Sequence, residues 1–234
     1  MAEGNKAVKA LAGPLLGLSA MGLLMLPGGL RLCKLGYRRR SLDEASLHDV
    51  SLHDVSLHGA PYHGVVNLKD AVEACRRSGL QGWDLVLFAQ RLVTEKFATY
   101  STLNLWDPPG RAFIFGTGYC TQYNLALKRI LDRLGFETGA VFALKVRFFD
   151  NEDWTMGHTW LRVTVDGETK DVCAGRAEHE PGKVNFVPLS AVHRGWGPIM
   201  FLTHLGMIPF MGFLEWKALL TGTESPAWAY KERA

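Results

Sequence analysis

The sequence predicts an α+β domain in which helices come first and a nucleophilic cysteine opens a helix packed on an antiparallel sheet. Three observations lead there. Gly116-Thr117-Gly118-Tyr119-Cys120 runs into a helical pattern, with Tyr123, Leu127, Ile130, Leu131 and Leu134 at helical spacing and Gly135 as the stop. Gly157-His158 opens an alternating run, Thr159 to Val165, that reads as a strand. Asp166-Gly167 then signals a hairpin, and the returning strand, Glu168 to Cys173, carries Asp171.

Along the chain, residues 1–35 form a candidate transmembrane or targeting segment. Ala10 to Leu30 is uncharged and rich in Leu and Met, about 30 Å long as a helix and so long enough to span a bilayer. Lys6 and Lys9 precede it, and Arg31, Lys34, Arg38, Arg39 and Arg40 follow, which by the positive-inside bias leaves the catalytic domain cytoplasmic. Rival readings stay open: a cleaved signal peptide, which would make the protein secreted, or a buried helix of a soluble cytoplasmic protein. Residues 36–62 read as a linker. They hold a five-residue repeat starting at Ser41, Ser46, Ser51 and Ser56, whose period fits neither helix nor strand, and its histidines are read as a polar spacer with no metal site.

Residues 63–222 are the predicted catalytic domain and 223–234 a tail. Helices are expected at Leu68 to Arg77 and Trp83 to Tyr100, the second with an apolar stripe from Leu85 to Phe97. Pro108-Pro109-Gly110 breaks the chain. Thr138 to Phe149 reads as a strand and Asp150 to Asp153 as a solvated acidic loop. Trp196 to Trp216 is strongly apolar, but Pro198 and Pro209 argue against a continuous spanning helix, leaving a core cover, a substrate wall or a membrane-surface element.

Composition narrows the function classes. The 234 residues, 47% hydrophobic, suffice for one core, and the net charge of +3 owes much to the cluster after the apolar run, which gives nucleic-acid binding no support. Four cysteines without a C-x-x-C pair describe neither a disulfide scaffold nor a zinc site. Cys33, Cys75 and Cys173 read as structural, whereas Cys120 sits in a first helical turn, where unpaired N–H groups and the helix dipole favour a thiolate. His158 is then the candidate base and Asp171 the carboxylate that orients it.

One geometric objection bears on Asp171. A strict two-residue turn pairs Val165 with Glu168 and Arg162 with Asp171, which puts Asp171 on the His158 face but about 13 Å along the ladder. A bulge or bend has to close that gap; otherwise a backbone carbonyl or another polar residue orients His158.

The order Cys-His-Asp, from helix to strand to strand, is the layout of a papain-like site. Gly-Tyr-Cys, Leu134-Gly135-Phe136, the His-x-Trp strand and the Asp-bearing strand together resemble the transglutaminase-like superfamily of thiol enzymes over residues 83–175. With Asn124 and Val163-Thr164-Val165-Asp166-Gly167 they also resemble the arylamine N-acetyltransferases, although Phe115 and Thr117 stand near where that family carries an arginine. The resemblance implies a papain/transglutaminase-like core and catalysis by Cys120, His158 and Asp171. Gly118, Tyr119, Gln122, Trp106 and Trp160 are candidates for oxyanion or substrate binding. It implies acyl transfer or amide and peptide hydrolysis through a thioester, on a peptide, protein or small amide or ester, with no cofactor and no metal. The alternatives are an acyl-CoA-dependent transferase and an inactive, membrane-tethered binding module.

Overall fold

The computed structural model describes residues 64–102, 105, 107–195, 198–223 and 230–232. The apolar run at 10–30, the repeat at 41–60 and Trp106 lie outside the described residues. The first helix, α1 (Leu68–Arg77), starts where the sequence predicts it because Asn67 and Asp70 cap it reciprocally. Asn67 Oδ1 accepts from the N–H groups of Lys69 and Asp70, and the Asp70 carboxylate accepts from Asn67 N–H.

Helix α2 (Gly82–Lys96) buries Val86, Phe88, Ala89, Leu92 and Val93. It ends four residues before the expected Tyr100, because Thr99–Ser101 leaves the helix to form strand β1. Pro108-Pro109-Gly110 does not merely break the chain: Pro109 opens a short helix, α3 (Pro109–Phe115), at the one turn where a missing N–H costs nothing. Gly116, at φ 62°, closes α3 in a left-handed conformation and feeds the two-residue strand β2 (Thr117–Gly118).

Helix α4 (Cys120–Leu134) is the centre of the domain. Its buried face, Tyr123, Ala126, Leu127, Ile130 and Leu131, packs against α1, α2 and α3 and on the sheet behind. Each of the larger aliphatic side chains removed from water there contributes roughly 1.5–3 kcal/mol. Gly135 ends the helix as the sequence indicates.

The main sheet is antiparallel with five strands. It runs β5 (Glu168–Val172), β4 (Asn151–Val165), β3 (Glu137–Phe148), β6 (Phe186–Pro188), and β7 (Val192–Arg194) pairs with another stretch of β3. The expected acidic loop reduces to a turn at Phe149-Asp150. β4 resumes at Asn151, since the β3–β4 ladder continues to a Phe148 and Asn151 pair. The Asp166-Gly167 turn has two residues, both at positive φ (50° and 82°), and pairs Val165 with Glu168 and Arg162 with Asp171 as the hairpin signal requires. A second sheet orders β2, β1 and β8 (Tyr230–Glu232), so part of the segment read as a tail pairs with β1.

Helix α5 (Pro198–Thr221) corrects the reading of the C-terminal apolar segment: it runs through Pro209 without a break. Met211 and Ala218 are buried, whereas Phe201, Leu202, Leu205, Phe210 and Phe213 are exposed. No helix among the described residues is long and apolar enough to cross a membrane.

Candidate active site

Cys120 is the first residue of α4, with Tyr119 in extended conformation before it. Two neighbours build this start. Gly118 is needed for space, since a Cβ there would lie 2.7 Å from Gln122 Oε1 and 3.0 Å from Phe97 Cε1. Gln122, a candidate for oxyanion binding, instead folds back: its Oε1 accepts from Tyr119 N–H at 3.1 Å and its Nε2 donates to the Asp107 carbonyl at 3.0 Å. That return hydrogen bond satisfies a donor left over by the helix start, so the amide's place in the molecule is architectural.

The Cys120 thiol is buried, and burial raises its pKa. Hydrogen bonds from Thr159 and Thr121, through backbone and side chain, oppose the rise without cancelling it. The helix-terminus position therefore does not by itself yield a thiolate, contrary to the sequence-based expectation, because desolvating a charged sulfur outweighs those donors. Thr121 Oγ1 and Thr159 Oγ1 lie 3.1 Å apart and tie α4 to β4 beside the sulfur. The Tyr119 phenol is pushed far up by burial, with Cys120 adding to the shift, and so stays a neutral O–H next to the thiol.

His158 is buried on β4, one residue before Thr159. Its ring is held edge-on by Phe186 at 4.6 Å and by Phe148 at 5.5 Å, and stacks on Trp160 at 6.2 Å with the planes 14° apart. Trp160 is only 1% exposed, so this candidate substrate contact is a wall behind the histidine. Its Nε1 donates to Asp171 Oδ1 at 3.0 Å.

Asp171 does not reach His158. The turn is strict and the ladder from Arg162–Asp171 to Val165–Glu168 has no bulge to shorten the path. The carboxylate instead receives Trp160 Nε1 and, at 3.3 Å, Arg162 Nε. Cys173 meets the His158 ring instead, its Sγ 3.4 Å from Nε2. The same register places Cys173 opposite Trp160 and on the His158 face, two residues nearer than Asp171. Carrying the hairpin arithmetic past Asp171 would have found it.

Asn124 and His179 hold the chain around Cys173, and Gln90 braces His179. Asn124 of α4, fully buried, donates from Nδ2 to the Thr159 carbonyl at 2.6 Å and toward Cys173 Sγ at 3.6 Å, while its Oδ1 accepts from Ala174 N–H at 3.0 Å. His179 Nδ1 sits 3.0 Å from the Cys173 carbonyl and its Nε2 2.7 Å from Asn185 Oδ1. Gln90 Nε2 in turn donates to the His179 carbonyl at 2.7 Å. Asn124 appears in the sequence pattern, but Thr121, Thr159 and His179 carried no signal of their own; only the crossing of α4 over β4 and β5 brings them together. Among the described residues no three His, Cys, Asp or Glu side chains gather as a metal site.

With this geometry in view, the class of fold is plain. An α+β core with a cysteine at the head of the central helix, packed on an antiparallel sheet, is the architecture the sequence predicts. Residues 116–181, the stretch holding Cys120, His158, Asp171 and Cys173, match the family model of an N-acetyltransferase. A solved structure described as a TGase is similar at 12% identity and a TM-score of 0.37, covering 58% of this chain and 37% of that one. The chain thus spans a little over a third of the length of that structure. No curated protein matches the chain.

Proposed function

We propose that the protein is a cysteine acyltransferase or amide hydrolase that works through a thioester on Cys120. The observation that carries this reading is the position of the Cys120 sulfur, at the start of α4 and against the backbone and hydroxyl of Thr159, the residue directly after His158. With Nε2 of His158 turned to Cys173, this reading assigns Nδ1 the role of base toward the nucleophile.

Because burial keeps Cys120 protonated, the thiol needs a base at the moment of reaction. His158 takes the proton, the thiolate attacks the acyl carbon, and the tetrahedral oxyanion is met by N–H groups at the helix start and by the neutral Tyr119 hydroxyl. The leaving group departs with the proton from the imidazolium. Water or an amine then attacks the thioester, His158 accepts its proton and returns it to the sulfur. The match of residues 116–181 to an N-acetyltransferase family favours a small acyl donor over a protein substrate.

The test is acylation with p-nitrophenyl acetate and with acetyl-CoA, located by peptide mass spectrometry. Wild type acquires an acetyl group on Cys120; Cys120→Ala does not, and His158→Ala acylates about a hundredfold more slowly. Acylation by acetyl-CoA marks the CoA-dependent transferase, and acylation by the ester alone marks the hydrolase. A second reading, a binding module, is favoured by two features: the thiol raised by burial and the sulfur where a carboxylate belongs beside the histidine. Label spread evenly over the cysteines, or none on Cys120, would establish that second reading against the first.

A further inference from the structure

We infer that Cys173 is the positioning residue for His158, standing where a Cys-His-Asp enzyme carries its carboxylate and deciding which ring nitrogen holds the proton. The inference rests on the thiol-enzyme reading above and adds a residue that neither the sequence pattern nor the family match assigns.

The geometry is specific. Sγ lies 3.4 Å from Nε2, the ring is clamped by Phe148, Trp160 and Phe186, and the peptide after Cys173 is fixed at its carbonyl by His179 and at the Ala174 N–H by Asn124. Asp171, the acid nearest in sequence, is tied to Trp160 and Arg162 instead. A carboxylate beside Nε2 can only accept, so it fixes the proton on Nε2 and leaves the Nδ1 lone pair free to act as base. A thiol is a weak donor as well as a weak acceptor. When the Cys173 S–H donates to Nε2, the ring proton resides on Nδ1, and His158 presents a donor where the base is needed. When the sulfur accepts, as Asn124 Nδ2–H already asks of it, Nε2 keeps its proton and Nδ1 is the base. Cys173 therefore makes the histidine less committed to the basic tautomer than a carboxylate would. Titratable groups near Cys173 include Tyr123 on α4 and His179 in the segment after β5. The Tyr123 hydroxyl lies with Cys173 Sγ at 3.1 Å from where a Gly175 Cβ would stand.

The test uses the full chain and compares wild type with Cys173→Ala, Cys173→Ser, Cys173→Asp, Asp171→Asn and His158→Ala. Two readouts are taken: the rate of Cys120 alkylation by iodoacetamide across pH, and the ring nitrogen-15 shifts of His158. Cys173→Ala should slow Cys120 alkylation at neutral pH by about tenfold, a part of what a positioned base contributes, and blur the tautomer signal. Cys173→Asp should raise the neutral rate above wild type, move the profile to lower pH and fix the proton on Nε2. Asp171→Asn should change the profile less than Cys173→Ala. Where the alanine or aspartate variant does not fold, Cys173→Ser carries the test through the nitrogen shifts, which should differ from wild type. If every folded Cys173 variant keeps the wild-type profile and shifts while His158→Ala is slow, Cys173 is packing only and the thiol-enzyme reading survives. If His158→Ala alkylates as fast as wild type, both fall.

Discussion

At the residue scale, burial sets the chemistry of the cysteines before any partner does. Cys75, inside α1 and with no exposed surface, has its thiol pushed up to about 12 by desolvation, which outweighs a backbone hydrogen bond. Below the unfolded-chain value of about 8.5 both states keep the proton and stability is intact; from there to the folded value only the unfolded chain ionises. Folding free energy should therefore fall as pH rises through that window, by at most roughly 1.4 kcal/mol per unit for this group. Urea titrations at several alkaline pH values should show the slope, and Cys75→Ala should flatten it relative to wild type. Cys120, raised by the same cause, differs in having Thr121 and Thr159 at its sulfur, which lowers the cost of forming the thiolate there.

At the scale of elements, the site depends on how α4 begins. Gly116 turns the chain in a left-handed conformation, Gly118 clears room for Phe97 and Gln122, and Gln122 returns to hold Tyr119 N–H. Gly118→Ala introduces a Cβ at 2.7 Å from Gln122 Oε1 and 3.0 Å from the Phe97 ring, so one of them must move. The expected cost is about 1–3 kcal/mol in urea unfolding, together with slower acylation of Cys120, because the displaced Gln122 no longer fixes the helix start. An unchanged unfolding midpoint with normal acylation would show that the turn has slack. The buried Asn124 bracket acts at the other end of the same arrangement, locking α4 to β4 at Thr159 and to the chain after β5 at Ala174.

At the scale of the whole molecule, the described residues form a helical layer over an antiparallel sheet, with α5 left partly outside the core. Helix α5 buries Met211 and Ala218 but leaves Phe201 59% and Leu202 62% exposed, with Phe210 and Phe213 exposed further along the same helix. A group of large exposed apolar side chains on a folded domain binds hydrophobic dyes and invites association. Phe201→Gln combined with Leu202→Gln should lower the fluorescence of bound anilinonaphthalene sulfonate without shifting the thermal midpoint by more than a few degrees. Undiminished dye binding would place the responsible surface elsewhere.

Local sequence determined a good deal. The capped start of α1, the run of α4 from Cys120 to Gly135 and the Asp166-Gly167 hairpin with its register are set by side-chain periodicity and turn chemistry, which act over a few residues. Pro209, read as an interruption, lies inside the continuous helix α5, and the apolar period missed the short strands β1, β6, β7 and β8, whose pairing partners are remote in sequence. The identity of the groups around the candidate nucleophile was decided only by tertiary structure. Asp171 and Cys173 share a face and differ by two positions, and which of them meets His158 depends on an unbulged ladder and on α4 crossing it at Asn124 and Thr159. Motif spacing records which residue types are present, whereas a contact between an imidazole and a third group is fixed within a few ångströms by register and packing.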